Sequence, residues 1–180
     1  MIETERLRLR QWRDADRAPF AAMNADRDVM AYFPEPYTRA RSDSFVDSQM
    51  AHIEAHGWGW FAIETRETGA FCGFAGLSRP GFQAPFMPAV EIGWRLARPF
   101  WGKGYATEGA RATIALAFDD LGMESLVSFT TVENRRSRAV MERLGMRRDP
   151  SEDFDHPRIP VGHPLARHVL YRLSEKDWRP

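Results

Sequence analysis

The chain has 180 residues, and its 25 Lys and Arg balance its 25 Asp and Glu, so the formal net charge at pH 7 is zero. This balance argues against a nucleic-acid partner, and the sequence has no apolar run of about 18 residues, as a membrane-spanning helix needs. The single cysteine, Cys72, excludes an intramolecular disulfide and favours a reducing compartment. We therefore expect a cytoplasmic protein with one domain over residues 1–180.

Strand and helix periodicities alternate along the whole chain. In chain order they predict a strand at 3–11, helices at 14–25, 26–32 and 39–56, strands at 58–66, 70–78 and 89–97, a helix at 104–121, a strand at 125–132, a helix at 134–144 and two late strands. This mixture predicts an α/β or α+β fold, with a sheet covered by helices on both faces.

Two long connections interrupt this order. Residues 79–88 are too rich in proline and glycine for regular structure, and we expect them to line an acceptor site. Residues 149–166 contain four prolines and several acidic and histidine side chains. A connection of this length is typically functional or disordered, and the sequence leaves substrate recognition and mobility open.

Two histidines in the third predicted helix have a spacing that metal sites use. His52 and His56 are four residues apart and therefore share one helix face. Ile53 rather than a glutamate follows His52, and no third ligand is evident. We therefore predict no metal site.

A turn with two glycines, Gly102 and Gly104, stands between a predicted strand and a predicted helix. The unpaired N–H groups at a helix N-terminus attract anions, and glycine lets the backbone approach a ligand closely. Tyr105 follows Gly104 where a P-loop would have a Lys, and Thr107 stands where a dinucleotide-binding motif has its third glycine. Residues 102–107 therefore predict a phosphate site of another kind.

A second strand-to-helix junction follows, with Asn134 at a preferred N-cap position and Gly145 placed for the C-cap. Together with Trp94–Leu96 and Pro99–Glu108, its N-x-x-S-x-x-x-M-x-x-x-G-M pattern resembles the GNAT superfamily of acyl-CoA N-acyltransferases. The chain is similar in particular to the branch that includes the ribosomal-protein N-terminal acetyltransferases. That likeness extends to Thr4–Arg10, Asn24–Met30, Val169–Leu173 and Trp178.

The resemblance implies a mixed, mostly antiparallel sheet whose two central strands splay apart to admit the pantetheine arm of acetyl-CoA. We expect acetyl-CoA to be bound by Trp94, Leu96, Gly102, Lys103, Gly104, Tyr105, Ala106, Thr107 and Asn134. Asn134 can cap its helix and contact the pantetheine amide as well. For Trp101 and Tyr105, the sequence supports two roles equally: part of the hydrophobic core, or part of the wall of the cofactor site.

The chain departs from the family pattern at two positions. Pro99 stands where members usually have Gln or Arg, but backbone N–H groups carry most of that interaction, so we expect binding to persist. Met141 stands where many members have a tyrosine that protonates the leaving thiolate, and a thioether cannot donate a proton. Ser137 is the replacement that we favour, with water or an ordinary helical role for Ser137 as the alternatives.

Glu91 is our candidate for the general base that deprotonates the attacking amine. It interrupts an apolar strand, and its side chain points away from Val90, Ile92 and Trp94. Gly93, two residues later, leaves room for an acetyl group. A positioned carboxylate of this kind contributes about 10² to 10⁴ in rate. The alternative is a solvated residue on the polar face of a half-exposed strand.

The sequence thus predicts an acetyl-CoA-dependent N-acetyltransferase that acts by direct transfer in a ternary complex. The acceptor is a primary amine, either a protein N-terminus or a small molecule, and a homodimer is left open. One alternative is transfer of a longer acyl group. A second is regulatory acyl-CoA binding without turnover. Cys72 is predicted to be a small buried hydrophobic residue rather than the site of an acyl-enzyme.

Overall fold

A computed structural model describes residues 1–179. Its strands are β1 (Ile2–Glu3), β2 (Leu7–Arg10), β3 (Trp60–Thr65), β4 (Phe71–Ser78), β5 (Glu91–Leu96), β6 (Ser125–Thr131), β7 (Arg147–Arg148), β8 (Phe154–Asp155) and β9 (Arg167–Ser174). Its α-helices are α1 (Arg17–Ala25), α2 (Arg39–His56), α3 (Tyr105–Ala115) and α4 (Arg135–Arg143). Short 3₁₀ turns cover Asp14–Asp16, Arg98–Phe100, Pro150–Glu152 and Glu175–Asp177.

The strands form one sheet in the order β1-β2-β3-β4-β5-β6-β9-β7, with β8 also paired to β9. Neighbouring strands are antiparallel except β5 and β6, which run parallel. These two strands pair only where Glu91 lies opposite Val127, and they diverge beyond that point. The splayed central strands and the mostly antiparallel mixed sheet are therefore confirmed.

Helices cover both faces of this sheet because successive residues of each strand point to opposite sides. On one face, Gly109 lets α3 approach so closely that a Cβ there would lie 3.2 Å from Cδ1 of Ile63. On the other face, the ring of Phe74 packs 6.1 Å from Phe20 of α1 and 5.5 Å from Phe45 of α2, measured between ring centroids. Helix α4 packs on β6, on the same side of the sheet as α3.

The two long connections pack against each other. The ring of Phe86 from the first lies 4.9 Å from the ring of Phe154 from the second, and both cover Val127 and Leu170 of the sheet. Since Val127 is the partner of Glu91, this aromatic cluster lies on the face of the sheet that carries the Glu91 side chain.

Two predicted elements were wrong, and a third differs only in helix type. The predicted strand at 3–11 is a hairpin of β1 and β2, because the Thr4 hydroxyl accepts a hydrogen bond from the Leu7 N–H at 3.0 Å and closes a turn. The predicted helix at 26–32 consists of turns, because the Asp26 carboxylate accepts from the Asp28 N–H at 2.8 Å and competes with helical bonding.

The third difference concerns the helix predicted at 104–121. The α-helix ends at Ala115, and a π-helical turn covers Leu116–Asp120, where the Leu121 N–H donates to the Leu116 carbonyl at 3.0 Å. Gly122 then adopts φ +61°, the left-handed conformation expected after a helix. Of the late strands, β9 has eight residues, and β7 and β8 are two-residue strands that pair with it.

Candidate active site

The gap between β5 and β6 exposes backbone groups of β5. The Val127 N–H donates to the Val90 carbonyl at 2.9 Å, and the Ala97 N–H donates to the Cys72 carbonyl on the opposite side at 2.8 Å. Even-numbered residues of β5 therefore direct their N–H and C=O groups into the gap. Trp94 lies beyond the last pair with β6, so an extended ligand in the gap can bond to its backbone.

Leu96 lies in the same row. Its carbonyl accepts a hydrogen bond from Nε1 of Trp101 at 2.8 Å, and its N–H faces the gap. The Trp101 ring in turn packs under the Arg136 guanidinium, whose Cζ is 4.0 Å from the ring centroid. Trp101 thus connects the first junction with the start of α4.

The glycine turn has the backbone that its sequence predicts. Gly102 has φ +73° and Gly104 has φ +80°, and both values favour glycine over any other residue. Gly104 is the N-cap of α3, and within residues 1–179 no side chain caps this end of the helix. The Glu108 N–H makes the first helical bond, to the Gly104 carbonyl at 3.0 Å. The N–H groups of residues 105–107 are thus open to an anion, beside Lys103.

Hydrogen bonds from the N-terminal segment, which the sequence analysis did not predict, hold this turn in place. Glu108 accepts hydrogen bonds from the Arg6 N–H at 2.8 Å, from Arg6 Nε at 2.7 Å and from the Thr4 hydroxyl at 2.6 Å. Nη1 of Arg6 donates to the Lys103 carbonyl at 2.9 Å. Burial alone would raise the pKa of Glu108, but Thr4 and Arg6 hold it below its ordinary value. Thr4–Arg10 and Pro99–Glu108 both carry the family resemblance, and this was the only sequence signal for a contact between them.

Tyr105 lies between the core and the site. Its ring lies 5.0 Å from Cζ of Arg6 and 6.5 Å from the ring of Phe100. Tyr105, Ala106 and Thr107 are all half-buried in the first turn of α3. The structure therefore brings the predicted phosphate-site residues together on one helix end.

The second junction places Asn134 and Ser137 at the start of α4. Asn134 Oδ1 accepts from the Ser137 N–H at 3.2 Å, which confirms the N-cap, and Asn134 Nδ2 donates to the Thr130 hydroxyl at 2.9 Å. Ser137 is half-buried. Met141 is only 1% exposed and packs in the core beneath α4, so its thioether serves the core.

Glu91 stands where β5 and β6 begin to separate, on the face opposite Ile92. Its side chain retains some solvent exposure, yet burial raises the pKa of Glu91 to about 8. A Cβ on Gly93 would lie 3.7 Å from Glu91 Oε1 and 3.0 Å from Cη2 of Trp60. The Glu91 carboxylate and the Trp60 ring are therefore both adjacent to Gly93. The Trp60 ring, rather than open space for an acetyl group, lies against this glycine, so that expectation from the sequence is wrong.

Other titratable groups from the sequence analysis lie elsewhere. His52 and His56 have ring centroids 4.5 Å apart, and His52 lies 5.0 Å from the ring of Trp58. Cys72 is fully buried, as predicted, and burial raises the pKa of its thiol to about 12. Within the described part of the chain, no helix is both long and apolar enough to span a membrane.

Comparisons with known proteins agree with this arrangement. Residues 6–147 match the acetyltransferase (GNAT) domain family. The uncharacterised protein YkkB of Bacillus subtilis is 31% identical over 146 residues, which are 81% of this chain and 84% of that protein. A GNAT-family acetyltransferase structure from Bacillus anthracis has a TM-score of 0.79 at 27% identity and covers 97% of this chain and 98% of its own.

The ribosomal-protein-S5-alanine acetyltransferase of Vibrio fischeri shares the fold, with a TM-score of 0.74 at 17% identity over 99% of this chain and 98% of that one. Enzymes of the matched family use acetyl-CoA as co-substrate. The family match spans both strand-to-helix junctions and the splayed strands described above. The chain therefore belongs to the GNAT family of acetyltransferases.

Proposed function

We propose that this acetyltransferase is an N-acetyltransferase that moves an acetyl group from acetyl-CoA directly to a primary amine. The observation that carries the proposal is the β5–β6 gap, which has the glycine turn near the C-terminal end of β5 and Glu91 at the point where the strands meet. The fully buried Cys72, with a raised thiol pKa, supports direct transfer over a cysteine acyl-enzyme. It also fits our proposal of a cytoplasmic enzyme.

In this proposal the pyrophosphate of acetyl-CoA binds the N–H groups of residues 102–107, and the pantetheine arm bonds to the backbone of Trp94 and Leu96. Lys103 adds positive charge beside the phosphates. Asn134 contacts the pantetheine amide with the hydrogen that Nδ2 does not give to Thr130. The thioester then lies towards Gly93 and Glu91.

The reaction requires a neutral amine. Glu91 takes a proton from the ammonium form, and the amine attacks the thioester carbonyl carbon. A C–N bond forms and the C–S bond breaks. The nitrogen then loses its second proton, and the departing thiolate takes up one proton, so that the products are the amide and the free thiol of CoA. A carboxylate whose pKa is raised to about 8 matches an α-amine, whose ordinary pKa is about 7.7 to 8.0, so that proton transfer between them is nearly balanced.

The Ser137 hydroxyl is our proposed donor to the departing thiolate. Ser137→Ala is expected to lower kcat by up to about tenfold while the acceptor KM changes little, because the loss of one hydrogen bond to a charged group costs about 1.5 kcal/mol. Steady-state kinetics under conditions where chemistry limits the rate measures this effect. Ser137→Thr keeps the hydroxyl and should retain most of the rate. An unchanged kcat in Ser137→Ala would leave Ser137 with only a structural role.

The raised pKa of Glu91 should also make the free energy of unfolding depend on pH. Its pKa rises from 4.5 to about 8 in the folded protein, so between these values the folded state holds a proton that the unfolded state has lost. The wild-type free energy of unfolding should therefore fall, relative to Glu91→Gln, by up to about 1.4 kcal/mol per pH unit in this range. Urea unfolding at about pH 5 and about pH 8 compares the two proteins. A constant difference between them would contradict a raised pKa.

A panel of acyl-CoA thioesters tests the function itself. The protein is mixed with acetyl-, propionyl- and butyryl-CoA and with small amines or N-terminal peptides, and the release of free thiol is measured. We expect amine-dependent thiol release that is fastest with acetyl-CoA. Faster release from a longer thioester would indicate a different acyl specificity. Tight CoA binding without thiol release for any amine would favour a regulatory role.

A further inference from the structure

Arg95 is a half-buried cation without a counter-ion. Its Nη1 donates to Oδ1 of Asn24 at 2.8 Å, its Nε is buried without a hydrogen-bond partner, and no carboxylate within residues 1–179 forms an ion pair with it. Burial lowers its pKa, the charge of Arg41 acts in the same direction, and Tyr37 opposes both. A guanidinium that is partly withdrawn from water, with a buried Nε that has no hydrogen-bond partner, retains donors for an anion such as a carboxylate.

The guanidinium is held in place on several sides. Its Cζ lies 4.2 Å from the ring centroid of Phe33 and 5.3 Å from that of Phe74. Asn24 is itself fixed, because its Nδ2 donates to the Ser42 hydroxyl at 3.1 Å. Phe33 is 36% exposed, which places this cation near the surface of the protein. The cation is thus oriented before any ligand arrives.

Arg95 also lies on the face of β5 that carries the proposed base. Glu91, Gly93 and Arg95 alternate with residues that point to α3, so all three share one face. Gly93 and Arg95 are separated by about 7 Å along the strand at ~3.3 Å per residue. Glu91 Oε1 approaches Gly93 from the other side. A base and a cation therefore lie on either side of Gly93 along one face of the strand, where the Trp60 ring also packs.

We infer that Arg95 binds a carboxylate of the acceptor, so that the preferred acceptors are amines that carry a carboxylate close to the reacting nitrogen. This inference rests on the proposed function. A guanidinium pairs with a carboxylate through two parallel hydrogen bonds, which would also fix the orientation of the amine. The carboxylate can belong to a free amino acid or to an acidic side chain near a peptide N-terminus.

Matched acceptors that differ only in this group test the inference. One pair is phenylalanine and phenylalaninamide. The other is two C-terminally amidated tetrapeptides with glutamate or glutamine at the second position. The ratio of kcat/KM within each pair is measured for the wild type, Arg95→Met and Arg41→Met. Arg41 is the matched control, because its Cζ lies 3.8 Å from the ring centroid of Tyr37, which also neighbours Arg95.

In at least one pair, we expect Arg95→Met to lower the preference for the carboxylate acceptor at least about tenfold, through KM, while Arg41→Met retains it. The pair that responds identifies the source of the carboxylate. Unchanged ratios in both pairs would overturn the inference and leave Arg95 with a structural role. If Arg95→Met does not fold, Arg95→Gln, which also removes the charge, takes its place. A wild type that shows no preference for the carboxylate acceptor in either pair overturns the inference by itself.

Calorimetry separates this inference from the proposed function. The same acceptors are titrated into the protein saturated with CoA, which cannot react. Tighter binding of a carboxylate acceptor than of its amide, lost in Arg95→Met, would support the inference even if no amine were acetylated. Failure of acetylation alone would count against the proposed function. Equal binding of carboxylate and amide in the wild type would count against the inference.

Discussion

Glu91→Gln is expected to lower kcat by about 10² or more while the Kd for CoA stays the same, because an amide cannot accept the proton of the amine. The base acts only when it is deprotonated, and the pKa of Glu91 is raised to about 8. Wild-type activity should therefore rise with pH and level off above about pH 8. The ratio of the wild-type kcat to the Glu91→Gln kcat should be largest above about pH 8.

Initial rates across pH together with CoA calorimetry check this expectation. Glu91→Asp is the matched variant, since it keeps the carboxylate on a shorter side chain and should retain more activity than Glu91→Gln. Any inflection that remains in the pH–rate profile of Glu91→Gln reports the deprotonation of the acceptor amine. Equal rates for wild type and Glu91→Gln at all pH values would transfer the role of base to another group or to water.

Gly104→Val should weaken CoA binding by at least about tenfold, since the turn would lose N–H contacts to a charged phosphate. The φ of +80° is unfavourable for valine, and a Cβ there would lie 3.3 Å from Nη2 of Arg6. The Arg6 side chain, which bonds to Lys103 and Glu108, would then have to shift. Calorimetric titration with CoA measures the loss of affinity.

Gly69→Val is the control for backbone strain. Gly69 has φ +68°, and a Cβ at this position meets no atom within 4 Å. It lies between β3 and β4, outside the glycine turn, so this variant should bear a similar conformational cost and bind CoA as the wild type does. Unchanged CoA affinity in Gly104→Val, or an equal loss in both variants, would contradict the phosphate assignment.

The parts of the site that the sequence predicted rest on local signals. Gly102 and Gly104 are needed for positive φ, and Asn134 caps α4 through a bond three residues away, so short stretches of sequence were sufficient. The face on which Glu91 lies follows from strand alternation alone. The family resemblance added the divergence of β5 and β6, which no local pattern indicates.

What the sequence did not predict depends on long-range pairing or on local competition. The Arg6–Glu108 contact joins residues 102 apart, and the Arg95–Asn24 bond joins residues 71 apart, so neither is visible before the sheet is assembled. The predicted helix at 26–32 is wrong because the Asp26 side chain bonds to the backbone of its own turn. Periodicity alone does not distinguish these outcomes.

Two-substrate kinetics tests direct transfer most directly. Initial rates are measured over a grid of acetyl-CoA and amine concentrations, and the intact mass of the protein is recorded after incubation with acetyl-CoA alone. Direct transfer predicts intersecting double-reciprocal lines and no acetylated protein. Parallel lines together with a stable acetyl adduct on the protein would contradict it, because they would show that the acetyl group passes through an enzyme side chain.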